Sequence, residues 1–187
     1  MVKRAFDLVM VIIATIVLIV PIIFVAILIK ITSNGPILYW SNRVGRYNKI
    51  FMMPKFRTMV NEAPLVATHL LDNPDQYLTK NGKFLRKSSL DELPQLFCIF
   101  LGDMSFVGPR PALFNQDDLI ALRTKKGVHT LIPGLTGWAQ INGRDEISLE
   151  AKVALEKEYL QRKSIWFDLK IILLSFSSVM FSKGVKH

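Results

Sequence analysis

The chain has 187 residues, half of them hydrophobic, with 24 Lys and Arg against 15 Asp and Glu. That length suits one domain, and 12 Phe and 3 Trp supply enough apolar surface to exclude intrinsic disorder. A single cysteine, Cys98, and three scattered histidines exclude a disulfide scaffold and a zinc cluster, as fits a reducing compartment.

The formal charge of +9 is unevenly spread: residues 1–60 hold eight Lys and Arg and one Asp, so most of the excess lies there. It surrounds an apolar run of 22 uncharged residues, Leu8 to Ile29. At ~1.5 Å per residue such a helix is ~33 Å long, enough to cross a bilayer core. No small-residue cleavage site follows, so the run reads as a membrane segment and not as a signal peptide. Pro21 divides it into 13 and 8 uncharged residues, removes a backbone donor and predicts a kink against the carbonyl of Val17. Lys3 and Arg4 precede the run, and Lys30, Arg43, Arg46 and Lys49 follow it, which draws both ends to the cytoplasm. Composition leaves two topologies open: a re-entrant helix bent at Pro21, and a Pro-kinked spanning helix with its N-terminus outside.

From Ile31 the pattern is that of a small mixed α+β body. Ile37 to Trp40 and Ile50 to Met53 are short apolar runs joined through Gly45 and Asn48, which suits a hairpin. Residues 61–82 read as a polar helix and loop, and Leu93 to Leu101 as a buried helix ended by Gly102. Proline and glycine then punctuate the chain up to Arg144. Leu149 to Lys163 carries alternating charges at helical spacing and predicts a solvated helix. Ile165 to Phe181 is apolar but interrupted by Asp168, Lys170 and serines. An interfacial helix with Trp166 and Phe167 at headgroup depth is the preferred reading, and a core helix the alternative.

The chemistry gathers between Lys83 and Leu96, where Lys83, Arg86 and Lys87 precede the paired acids Asp91 and Glu92. Ser89 and Glu92 have capping-box spacing, but Pro94 lacks the amide that such a helix needs; Asp91 as the cap would work. Asp91 is therefore either a cap or a catalyst. Lys55 and Arg57 alternate along a candidate strand, which predicts one face and one ligand for both. Prolines on either side of Arg110 restrict its backbone and suit a fixed phosphate clamp, while Gln140 and Arg144 lie in a glycine-rich stretch that a ligand can approach.

Three segments carry a resemblance: Ser-Leu-Asp-Glu-Leu-Pro-Gln-Leu (89–96), Gly-Asp-Met-Ser-Phe-Val-Gly-Pro-Arg-Pro (102–111) and Pro-Gly-Leu-Thr-Gly-Trp-Ala-Gln-Ile-Asn-Gly-Arg (133–144). With Lys55-Phe56-Arg57-Thr58-Met59 and Lys3-Arg4-x-x-Asp7, they resemble the bacterial monotopic phosphoglycosyl transferases, in their minimal form and over nearly the whole chain. The chain departs from the usual pattern at Val20, Cys98, Glu156 and the Glu158-Tyr159 pair.

The resemblance implies a re-entrant membrane helix over residues 1–30 and a catalytic domain over 31–187 with interfacial amphipathic helices, on the cytoplasmic face of the bacterial inner membrane. It implies transfer of a sugar 1-phosphate from a UDP-sugar, with an N-acetylated amino sugar favoured, to undecaprenyl phosphate with release of UMP. Asp91 would be the nucleophile, and Asp91 and Glu92 the ligands of Mg²⁺. Lys55, Arg57, Arg86, Arg110, Gln140 and Arg144 would bind substrate or phosphate. Membrane lipids are expected partners, nucleic acid is not, and a homodimer is left open. Two rivals stand beside this reading: a membrane-tethered basic protein that binds lipid or nucleic acid without catalysis, and a glycosidase. Adjacent acids fit poorly the ~5–9.5 Å separation of glycosidase carboxylates.

Overall fold

The structure is a computed structural model that describes residues 2–60, 73–143 and 147–180. The apolar run becomes one helix, α1 (Val2–Thr32), which continues through Pro21 without an end or a second element. Asp7, Val11, Ala14, Leu18, Ile22, Val25 and Ile29 form its inward stripe. Their spacing of four, three and four repeats every eleven residues, close to the period of a straight helix. The stripe lies on the body along its whole length, whereas Ile12, Ile16, Val20, Ile23 and Ile27 on the other side are bare.

Three charged residues fix the start of α1. Lys3 pairs with Asp168, Arg4 donates to the carbonyls of Ile99 and Phe100, and the buried Asp7 accepts from Ser105 Oγ at 3.0 Å and the Phe106 amide at 3.2 Å. At the other end, the Arg57 guanidinium donates to Ser33 Oγ and to the carbonyls of Ser33 and Asn34. Carbonyls at a helix C-terminus lack partners within the helix, and a cation there also suits the macrodipole.

Strands β1 (Leu38–Val44) and β2 (Ile50–Phe56) pair antiparallel, with Arg43 opposite Phe51 and Tyr39 opposite Lys55. Both are longer than their apolar cores, because pairing runs unbroken from Leu38 opposite Phe56 to Val44 opposite Ile50. Tyr47 and Asn48, at φ 56° and 58°, make a tight turn of the primed kind that matches strand twist, closed by Lys49 N to Arg46 O at 3.2 Å and backed by Gly45 N to Lys49 O at 2.7 Å. After α2 (Gly82–Lys87), residues 90–95 form a 3-10 turn that passes into α3 (Leu96–Leu101), which Gly102 closes at φ 98°. The single buried helix expected over 93–101 is thus two elements, and Phe97, Phe100 and Leu101 point outward.

Strands β3 (Ser105–Val107) and β5 (Gly134–Thr136) pair in parallel, while β4 (Ala112–Leu113) adds to β1. Between them run α4 (Asp117–Lys125) and a 3-10 turn at 128–130; α5 (Trp138–Ile141), α6 (Leu149–Arg162) and α7 (Ile165–Met180) follow. Helix α6 is not merely solvated: Val153, Glu156 and Tyr159 are buried, and Glu156 takes both Arg123 Nε, at 2.8 Å, and Arg123 Nη2. In α7 the expectation for Phe167 is corrected. It packs in the core against Trp138, with ring centroids 5.0 Å apart, while Trp166 is 83% exposed beside outward Leu173 and Phe176. Neighbouring residues of a helix point about 100° apart, so only one of the two aromatics can face out.

Candidate active site

Ser89, at φ 56°, turns the chain sharply between α2 and the 3-10 turn. No side chain caps that turn, so neither Ser89 nor Asp91 acts as the expected helix cap. In a 3-10 segment three residues make a turn, and Pro94 lies inside the segment, in its last turn. Asp91 and Glu92 are thereby set side by side under the face of β2.

Lys55 Nζ lies 2.7 Å from Glu92 Oε1 and 3.9 Å from Asp91 Oδ2, and Arg110 Nη2 donates to the same Glu92 oxygen at 2.8 Å. Arg86 donates through Nε to Thr58 Oγ1 at 3.0 Å, and its charge is felt by Asp91. Asp91 itself, 7% exposed, receives no hydrogen bond from the described residues. Burial is the largest influence on it and pushes its carboxyl up to about 6; Lys55 opposes that shift, and the Glu92 charge adds to it. Burial acts on Glu92 in the same direction, but Arg110 and Lys55, by charge and hydrogen bond, outweigh it and hold the group well below the carboxylate range. Two neighbouring acids with their affinities for protons driven apart have different chemistry: Glu92 is a fixed charge, and Asp91 is the more basic, unsaturated oxygen base.

Of the residues expected to share the site, Lys55, Arg86, Asp91, Glu92 and Arg110 are brought together. Arg57 is not with them. Strand β2 ends at Phe56, so the alternation that linked Lys55 to Arg57 stops, and Arg57 binds the end of α1. Gln140 also stands aside: its Nε2 donates to the Leu135 carbonyl at 3.1 Å, and its Oε1 is buried without a partner among the described residues. Arg144 lies outside the described residues. In the glycine-rich stretch Gly134 serves backbone packing, because a Cβ there would sit 2.0 Å from the Gly108 amide nitrogen. That crossing, with Gly134 N to Pro109 O at 2.9 Å, fixes the loop that carries Arg110. Sequence reasoning missed Thr58 and Arg43. Thr58 belongs to the same five-residue segment as Lys55 and holds Arg86, whereas Arg43 is tied to the site only by hairpin register.

Among the described residues no group of three His, Cys, Asp or Glu gathers as a metal site. Magnesium commonly takes one or two carboxylates and fills its remaining positions with water and phosphate oxygens. The Asp91 and Glu92 pair therefore fits the ion in company with a substrate diphosphate, and less well alone.

The chain belongs to the bacterial sugar transferase family, whose model matches residues 1–182. It is accordingly a phosphoglycosyl transferase, a monotopic enzyme on the cytoplasmic face of the bacterial inner membrane. It is 40% identical over 188 residues to the uncharacterized sugar transferase EpsL of Bacillus subtilis, covering 99% of this chain and 90% of that protein. It is 40% identical over 184 residues to the UDP-glucose:undecaprenyl-phosphate glucose-1-phosphate transferase of Escherichia coli, covering 92% of this chain and 39% of the relative. A third relative, the undecaprenyl-phosphate galactose phosphotransferase of Salmonella typhimurium, is 34% identical over 97% of this chain and 41% of its own length. The chain thus spans nearly all of EpsL and about two fifths of the other two.

Proposed function

We propose that the enzyme moves a sugar 1-phosphate from a UDP-sugar to undecaprenyl phosphate in two displacements through Asp91. The observation that carries this is the buried Asp91 carboxylate, free of hydrogen-bond donors among the described residues and ringed by Lys55, Arg86 and Arg110. In the first displacement an Asp91 oxygen attacks the sugar-bearing phosphorus of the donor. The bond from that phosphorus to the bridging oxygen breaks, and UMP leaves with the bond's electron pair. In the second, a phosphate oxygen of the acceptor attacks the same phosphorus; the acyl phosphate bond breaks, and the Asp91 carboxylate is regenerated. Dividing the reaction avoids a direct meeting of two anionic phosphates. Arg86 and Arg110 would hold phosphate oxygens through guanidinium forks, and Lys55 would offset charge as a point cation. Asp91 and Glu92 would hold Mg²⁺, which when bound supplies further positive charge to the diphosphate.

Relatives named for a sugar are named for glucose or galactose, so we take UDP-glucose and UDP-galactose as the first donors to try, with UDP-linked N-acetylated amino sugars beside them. The re-entrant reading of α1 is supported by its anchorage: its first turn, through Lys3, and its last turn, through Thr32 Oγ1 accepting from Asn81, both bind the body that carries Asp91. A helix crossing to the far side could not keep both. Intact-mass measurement of the protein incubated with UDP-sugar and Mg²⁺, without acceptor, tests the function. One hexose phosphate added to the parent and none added to Asp91→Asn is the expected result; equal UMP release by folded Asp91→Asn rejects the mechanism.

A further inference from the structure

We propose that Arg43 is a third guanidinium ligand for substrate phosphate, an assignment that rests on the transfer reaction above. Residues directly opposite in an antiparallel pair project to the same face, and the face recurs every second residue. Lys55 faces Tyr39, Met53 faces Ser41, and Phe51 faces Arg43, so Arg43 and Lys55 share one face of the hairpin. Leu113 of β4 flanks Arg43 on its other side, at the foot of the loop that carries Arg110. Arg43 is mostly buried. Its partners are neutral and distant: Nε donates to Ser41 Oγ at 3.2 Å and Nη1 to the Pro111 carbonyl at 3.3 Å.

No carboxylate of the described residues pairs with it; Glu92, the acid whose charge reaches it, receives Lys55 and Arg110 instead. Burial and the like charge of Arg110 push its guanidinium down to about 10, so it remains a cation at neutral pH. A buried cation without a counter-ion is costly, and a strut for one carbonyl needs no charge. Among the described residues Arg43 thus joins Lys55, Arg86 and Arg110 around Asp91 and Glu92, an array of cations suited to a phosphate group. Such a group arrives either on the nucleoside diphosphate donor or on the polyprenyl acceptor.

The test uses the full chain in lipid nanodiscs, with Arg43→Gln and Arg43→Lys. UDP affinity in the presence of Mg²⁺ reports the donor, the KM for undecaprenyl phosphate reports the acceptor, and the melting temperature without ligand reports the strut. Arg43→Gln should weaken one of the two by about tenfold or more and leave the melting temperature unchanged or raised, with Arg43→Lys recovering part of the loss. The measure that falls identifies the phosphate bound. UDP affinity and acceptor KM both within about twofold of the parent would overturn the assignment. So would a fall in melting temperature in both variants that accompanies every loss, since that is the behaviour of a strut. A parent that releases no UMP from any UDP-sugar would reject the transfer reaction, whereas unchanged Arg43 variants of an active parent would reject the inference alone.

Discussion

Asp91 is held in an environment that opposes its own charge, and that has consequences for pH and for stability. Its carboxyl titrates near 6 in the folded protein against an ordinary value of 3.8. Between those values the native state retains a proton that the unfolded chain has released. Stability therefore falls as pH rises through this window and levels off above about 6, the reverse of a salt-bridged acid. Asp91→Asn removes the penalty, so the variant should melt higher at pH 7, by on the order of 2 kcal/mol, while its turnover drops by orders of magnitude. A differential melt run beside the UMP assay checks both. For the parent, kcat/KM should decline below pH about 6 as the nucleophile becomes protonated, with no separate step from Glu92, which stays ionised. The same pair of acids makes a prediction for the metal. Calorimetric titration of Mg²⁺ should register weak binding to the free protein and clearly tighter binding with UDP, whose oxygens complete the shell.

At the level of elements, the site depends on close backbone crossings. The β3 and β5 strands meet where Gly134 and Gly108 leave no room for a Cβ, and the chain leaving Gly108 carries Arg110. Gly134→Ala must move one backbone past the other, which should cost about 1–3 kcal/mol in a thermal melt and displace Arg110 from Glu92. UDP affinity should fall with it. Helix α2 is seated in the same way, since a Cβ on Gly82 would lie 2.2 Å from the Thr58 carbonyl oxygen, and α2 carries Arg86.

None of these crossings was readable beforehand. The sequence pointed to Lys55, Arg86, Asp91, Glu92 and Arg110 because side-chain chemistry and motif order are written locally. It misplaced Arg57 because strand β2 ends one residue earlier, and it overlooked Arg43 because only the turn at Tyr47 and Asn48 sets which face that side chain takes. Phe167 failed for a related reason: a helix with two apolar faces does not declare which one meets the body, and Asp168, bound by Lys3 and Tyr159, turns its neighbour inward.

On the scale of the whole molecule, α1 is a strap fastened at both ends. Its inward stripe joins the two clusters around Met53 and Phe56, whose strand also bears Lys55. Cysteine labelling from outside intact cells should miss a probe near position 2, and labelling as strong as at a known external site would reject the re-entrant arrangement. Pro21→Ala should change accessibility little, because Lys3, Arg4, Asp7 and Arg57 hold the ends independently of Pro21. Strapping the catalytic body along the bilayer has a kinetic counterpart. The polyprenyl acceptor is met by lateral search within a sheet of lipid, so the concentration that governs its capture is a mole fraction per area and not an amount per volume. Adding inert lipid to the same vesicles should slow turnover in proportion to the thinning of acceptor, whereas diluting the vesicles in buffer, with UDP-sugar held constant, should leave the turnover of each enzyme molecule unchanged.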